Sequence, residues 1–200
     1  MEDKRDKLIA VATALFAEEG YQGVSIRRIS EAAGVNSAMI SYYFGGKQGL
    51  YDAVVAAEMA PVRDFANEDV SQMDPRDVIR RYTAQMFRVH QEKPYLLAYI
   101  FREFISPSHT THSLFQQIAP RLFGLLSDTL QRGVQEKLFR SDLDIPAATL
   151  LLAGMVNFHY LSRYPRDKTG VLTISQMNEE RYLQQAVDVF LKGIERRTES

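Results

Sequence analysis

The chain has 200 residues, 46% of them hydrophobic and 24% charged, with a formal net charge of −1 and no cysteine. That length makes one large domain or two small ones, with core enough to fold without cross-links. The missing cysteines exclude disulfide frameworks, thiolate metal sites and cysteine nucleophiles; the near-neutral balance excludes a uniformly basic coat but allows a local patch.

In chain order, helical periodicity dominates and no alternating strand pattern emerges. A first helix begins near Asp3, carries Leu8, Ala12, Leu15 and Phe16 on one stripe, and ends at Gly20 and Gly23. Lys4, Arg5 and Lys7 before an apolar run give it the outline of a signal peptide. Glu2, Asp3 and Asp6 spoil the basic segment, however, and Glu18-Glu19-Gly20 offers no cleavage pattern. A second helix ends at Gly34, a third at Gly45-Gly46, and a fourth runs from Lys47 into the Phe65 region. Asp74-Pro75-Arg76-Asp77 reads as an N-cap followed by proline at the first helical position, opening a fifth helix that runs to about Gln91. Pro94 opens a sixth, which stops before Pro107, and Leu114 to Lys137 forms a seventh that breaks or kinks at Pro120. Asp144 caps an eighth helix, 145–163, whose apolar run approaches the ~20 residues of a membrane span. Pro146, Asn157 and His159 and the lack of flanking belts make it a helix buried in a soluble, cytoplasmic assembly instead. Thr173 and Gln176 match a capping box before the last helix, 175–195.

The segment from Val24 to Lys47 repeats one local grammar twice. Ser25 is a good N-cap with Val24 before it and Ile29 at the staple position; Asn36, Val35 and Ile40 repeat the arrangement. Between them Glu31-Ala32-Ala33-Gly34 allows close helix approach and a turn through positive φ. Two short stapled helices around a glycine turn describe a helix-turn-helix unit. The second, Asn36 to Tyr43, is ~10–12 Å long and fits a major groove ~12 Å wide. With Val35 and Ile40 inward, Ser37, Ala38, Met39, Ser41 and Tyr42 remain for solvent or bases. Phe44 packs inward, while the hydroxyls of Tyr42 and Tyr43 reach phosphate. Lys47, Arg27 and Arg28 stand near helix N-termini, where a cation is unfavourable until an anion binds. Any one of these features is ordinary surface; their coincidence points to DNA.

These residues resemble the TetR family. Leu8-Ile9-x-x-Ala12-x-x-Leu15-Phe16-Ala17-Glu18-x-Gly20-Tyr21 is similar to the opening of its N-terminal domain, and Val24-Ser25-Ile26-Arg27-x-Ile29-x-x-Ala32-Ala33-Gly34-Val35-Asn36 to its helix-turn-helix core. Tyr42-Tyr43-Phe44-Gly45-Gly46-Lys47-Gln48-Gly49-Leu50-Tyr51 continues the likeness, which covers about residues 5–58. The resemblance implies an all-α homodimeric transcription regulator, usually a repressor, whose DNA affinity falls when a small molecule binds the C-terminal domain. It implies a DNA-binding domain over 1–48 and a larger ligand-binding and dimerisation domain over 49–200. It implies Ser25 and Arg27 as backbone anchors, Ser37, Ala38, Met39 and Tyr42 as base readers, and Tyr43 and Lys47 as phosphate clamps. Ser41 departs from the many members with tyrosine there, and the aromatic contact passes to Tyr42.

Beyond residue 60 physical reasoning carries more than likeness. The broad apolar faces of 145–163 and 175–195 suit a four-helix bundle with a second copy. A ligand pocket needs apolar walls and a few polar groups; Tyr99, Phe101, Arg102 and Glu103 on the sixth helix, and Asn157, His159 and Tyr160 on the eighth, are the candidates. Core hydrogen bonding is the competing role for each. His109-x-x-His112 with Glu103 has zinc-ligand chemistry, but the surrounding Pro107, Ser108 and Thr110-Thr111 read as loop, so no metal or cofactor is expected. No nucleophile elbow or phosphate-binding glycine loop suggests an enzyme. The alternative within the same fold is a DNA-binding protein that recruits a partner and needs no effector.

Overall fold

The structure, a computed structural model, describes residues 4–105, 112–161 and 178–196. Among them the helices are α1 (Lys4–Gly23), α2 (Ile26–Ala33), α3 (Ala38–Phe44), α4 (Lys47–Ala66), α5 (Pro75–Glu92), α6 (Leu96–Ile105), α7 (His112–Gln135), α8 (Ile145–Leu161) and α9 (Glu179–Ile194). The described residues hold no strand, only an isolated antiparallel bridge between Phe139 and Glu195. No helix among them is long and apolar enough to cross a membrane.

Side-chain oxygens start several of these helices, as the capping rule requires. Ser25 accepts from the Arg28 N–H at 3.2 Å, Asp74 from Arg76 at 2.8 Å and Asp144 from Ala147 at 3.0 Å. Asn36, expected to cap α3, lies one residue outside it: Ser37 is the N-cap and makes no side-chain cap bond, while Asn36 Oδ1 accepts from Ala38 at 2.8 Å across the turn. The last helix differs from expectation: Asn178 caps it, accepting from Arg181 at 2.9 Å, so it starts at Glu179. Thr173 and Gln176 lie outside the described residues. Helix α6 starts at Leu96, because Pro94 sits in the turn where Lys93 O accepts from Leu96 N. Helix α7, expected to break or kink at Pro120, runs unbroken through it. Of the two glycines expected to end the first helix, Gly23 does end α1, and Gly20, at φ 79 and ψ 167, already breaks it three residues earlier.

Two compact units divide the chain. The first holds α1–α3, α4 as far as Pro61, α6 and the start of α7; its buried residues include Leu8, Phe16, Val24, Ile29, Ile40, Leu50 and Val54. The second holds α4 from Val62, α5, α7 from Ile118, α8 and α9, and buries Phe65, Ile79, Tyr82, Leu126, Leu130, Val156 and Phe190. Within it α5, α8 and α9 pack mutually. Gly133 lets the Phe139 ring lie against α7, since a Cβ there would meet that ring at 2.2 Å. Arg140 N–H and Arg196 N–H then clip the turn after α7 to the end of α9, donating to Ile194 O and Leu138 O.

Candidate nucleic-acid interface

Helix α3 is held at both ends by its backbone. Gly34, at φ 63 and ψ 35, donates to Glu31 O, and Val35 donates to Ser30 O, the paired closure that ends α2 and launches the turn. At its far end Gly45, at φ 72, donates to Ser41 O at 2.9 Å. Gly49 then fixes α3 against α4: a Cβ there would lie 1.9 Å from Phe44 O, so only glycine permits the approach. Glycine inside a helix costs ~1 kcal/mol relative to alanine, which is the sequence signal of a close contact.

This anchoring leaves the outer side of α3 uncovered. Ile40 is fully buried and Val35 half-buried, while Ser37, Ala38 and Ser41 are exposed, and Tyr42 is 78% exposed. Met39 is half-buried beside them. Tyr42 leans edge-on to Tyr43, ring centroids 5.0 Å apart, so the outward ring has a buttress. Phe44 is half-buried rather than fully inward, and the Arg5 guanidinium lies 5.5 Å over its ring.

The expected cations are placed in two ways. Arg27 pairs with Glu31 at 2.7 Å, which raises its pKa through that hydrogen bond, and Arg28 pairs with Glu19. These are exposed, salt-screened pairs that a duplex phosphate can replace. Lys47 lies 4.4 Å over the ring of Tyr21, and burial lowers its pKa. Uncovered small and aromatic side chains with cations beside them suit a groove wall and its phosphates.

The candidate ligand residues fall in different units. In the first, the Tyr99 hydroxyl donates to Thr13 O at 2.7 Å and Arg102 donates to Phe16 O at 2.6 Å, both reaching α1. Phe101 is half-buried, and the side chain of Glu103 lies outside the described residues. In the second, Asn157 Oδ1 is 3.0 Å from His90 Nε2, and Tyr160 OH donates to Phe87 O at 3.3 Å. His159 stacks on Tyr182 at 4.3 Å. Burial drives the His90 imidazole down to about 4. His109 and the His112 side chain lie outside the described residues; among those described, no group of three His, Asp or Glu is placed to hold a metal.

Comparison with known proteins bears on both parts of the chain. The family described as "Bacterial regulatory proteins, tetR family" matches residues 8–54, and "Tetracyclin repressor-like, C-terminal domain" matches residues 75–189. The transcriptional repressor NicS of Pseudomonas putida is 27% identical over 163 residues, covering 80% of this chain and 77% of NicS. The ketosteroid transcriptional regulator KstR2 of Mycobacterium tuberculosis superposes with a TM-score of 0.76 at 20% identity, covering 98% of this chain and 97% of that one. AibR, solved with isovaleryl coenzyme A and operator DNA, gives 0.74 at 16% identity, covering 94% and 97%.

Proposed function

Because the chain belongs to the TetR family of bacterial regulatory proteins, we propose that it is a homodimeric, sequence-specific repressor that leaves its operator when a small molecule binds. The observation that carries the DNA part is the uncovered face of α3, locked at both ends by glycine geometry while Tyr42 stands 78% exposed. On this reading Ser37, Ala38, Met39, Ser41 and Tyr42 face bases, and Ser25, Arg27, Arg28, Asn36, Tyr43 and Lys47 hold the backbone. The functional division follows at 48/49, with residues 49–200 serving ligand and partner copy.

The dimer reading rests on α8. Ala147, Leu151, Gly154 and Phe158 recur along one exposed face, and Leu150 is 67% and Phe158 62% exposed. Val189 and Gly193 of α9 continue the apolar surface beside Leu143 and Leu151. A second copy covering this face with the same face buries it, and a molecule with two recognition helices suits successive grooves, which recur every ~34–36 Å. Selection of bound sequences from random duplexes, with light scattering of the free protein, tests both parts. The expected result is a two-fold symmetric site and a dimer; a strict monomer at micromolar concentration, or no enriched sequence, overturns the reading.

For an effector site, support comes from AibR, whose structure holds isovaleryl coenzyme A together with operator DNA; since both are bound at once, it supports a site for a small molecule and not the release of DNA. Asn157, His159 and Tyr160, with His90 and Tyr182 beside them, offer polar groups within an apolar bundle. The effector-free reading also has support, since Tyr99, Arg102, Asn157 and Tyr160 all spend polar atoms on their own chain. A small-molecule thermal-shift screen followed by operator release separates the two: a hit that shifts melting and frees DNA favours the effector.

A further inference from the structure

Helix α6 is bound to the end of α1 by two side chains. Tyr99, fully buried, donates to Thr13 O at 2.7 Å; Arg102 donates through Nη1 to Phe16 O at 2.6 Å and through Nη2 to Ala17 O at 3.3 Å. The carbonyls of Phe16 and Ala17 precede the break at Gly20. An interrupted helix leaves its last carbonyls short of donors, and a planar guanidinium supplies two from one group. Gly20 holds φ +79, a conformation that residues with a side chain rarely adopt, and the guanidinium of Arg102 lies close by, 2.9 Å from where a Cβ would stand.

The first residue after the break is Tyr21, half-buried, whose ring lies 6.0 Å from Phe16 and 5.1 Å from Tyr51. Tyr51 is itself 6.1 Å from Tyr99. Over the Tyr21 ring sits the ammonium of Lys47, 4.4 Å from the centroid. Two routes therefore join α6 to Lys47 inside the first unit, one through Arg102 and the α1 break, the other through Tyr99 and Tyr51. A cation over the negative face of a ring has one favoured place, so little side-chain freedom is left to lose when a phosphate arrives.

We infer that Tyr21 is a positioning residue for the phosphate-binding ammonium of Lys47, and that Arg102 sets the place of Tyr21, so that α6 governs a backbone contact to duplex DNA. The inference rests on the reading of Lys47 given above. It goes further in assigning Tyr21 and Arg102 a part in DNA affinity, although neither belongs to the helix-turn-helix.

The test measures affinity of the full-length protein for its selected duplex against salt concentration, with thermal unfolding alongside. Lys47→Met removes one contact in each of two copies, so it lowers the slope of log affinity against log salt by about 1.8 and weakens binding about a hundredfold. Tyr21→Leu and Arg102→Met each lower the slope in the same direction, and neither weakens binding further once Lys47→Met is present. Tyr21→Phe, which keeps the ring face, restores the slope that Tyr21→Leu loses, and Arg102→Lys restores part of it. Equal losses in both backgrounds, or an unchanged slope, are what a purely structural role in α1 gives, and either overturns the inference alone. A wild-type chain that binds no duplex overturns the DNA reading and the inference with it, whereas a Lys47→Met slope equal to wild type overturns the phosphate role of Lys47 and the inference but leaves the reading of α3 standing.

Discussion

Helices α3 and α8 each leave one face uncovered, for opposite chemical reasons. The open face of α3 is small, hydroxyl-bearing and aromatic, and the helix is placed by backbone bonds at Gly34 and Gly45 and the bare Cα of Gly49. Its outer side chains take no part in placing it. The open face of α8 is Leu150, Leu151 and Phe158, and apolar area of that kind drives association whatever covers it. One face can be rewritten without disturbing the fold, which suits a reader of sequence. The other cannot be left bare, which suits a permanent partner.

The largest expected effect tests the second half of that contrast. Phe158→Glu places a charge on the α8 face in both copies at once. Each buried phenylalanine contributes ~1.5–3 kcal/mol, so the dimer loses ~3–6 kcal/mol and operator affinity falls by orders of magnitude. Equilibrium sedimentation reads this directly. A variant that stays dimeric shows that α8 faces something other than its mate.

Next comes the anchoring of α3. In Gly49→Ala the added methyl meets the carbonyl oxygen of Phe44, a backbone atom that cannot swing aside. The expected loss is about 4 kcal/mol, at the upper end for a single substitution, with hydrogen exchange rising around α3 and α4 first. Wild-type unfolding in this variant means that α3 is placed by its side chains after all, and the contrast with α8 fails.

The two regions also differ in how acid reaches them. The ion pairs flanking α3 are exposed, whereas the second unit buries the His90 imidazole, lowered to about 4 chiefly by burial, with Asn157 opposing and His159 assisting. Between about pH 6.5 and 4 the unfolded chain binds a proton that the fold excludes. Stability therefore rises with pH across that window and is level above it. Denaturant titrations at pH 7 and pH 4 differ by about 3 kcal/mol from this group, and His90→Gln removes that part. If the pH dependence survives the substitution, another group carries it.

What the sequence made legible follows the same division. The caps Ser25, Asp74 and Asp144 and the positive φ of Gly34 are local properties, settled within four residues of chain, and periodicity with cap chemistry finds them. The expected start of the last helix rests on Thr173 and Gln176 alone, whereas Asn178, a residue of the same capping chemistry that this expectation passes over, caps the helix at Glu179. Tyr99 and Arg102 were legible only as polar residues on an apolar helix, a pattern that fits an anchoring contact as well as a ligand pocket and names no partner for either. Their hydrogen bonds to Thr13 and Phe16 span 86 residues, and nothing in spacing records such a distance. Tyr21 lay in plain view after Gly20, but its place under Lys47 depends on the break that Gly20 makes rather than on any periodicity.

The smallest effects draw the line between holding α3 and reading with it. Ser25→Ala removes the acceptor of the Arg28 N–H and costs ~1 kcal/mol of stability, with binding weakened alike on every duplex. Tyr42→Ala removes a ring that is 78% exposed, so stability stays within ~0.5 kcal/mol of wild type. Its cost falls instead on particular bases, ~1–3 kcal/mol at the positions it touches. Binding to a panel of single-base variants of the selected site, with melting measured in parallel, separates them. If Tyr42→Ala weakens all duplexes equally, its ring grips the backbone as Lys47 does. The reading face of α3 then narrows to Ser37, Ala38, Met39 and Ser41, side chains short enough that base choice would have to come from the close approach that the glycine anchors permit.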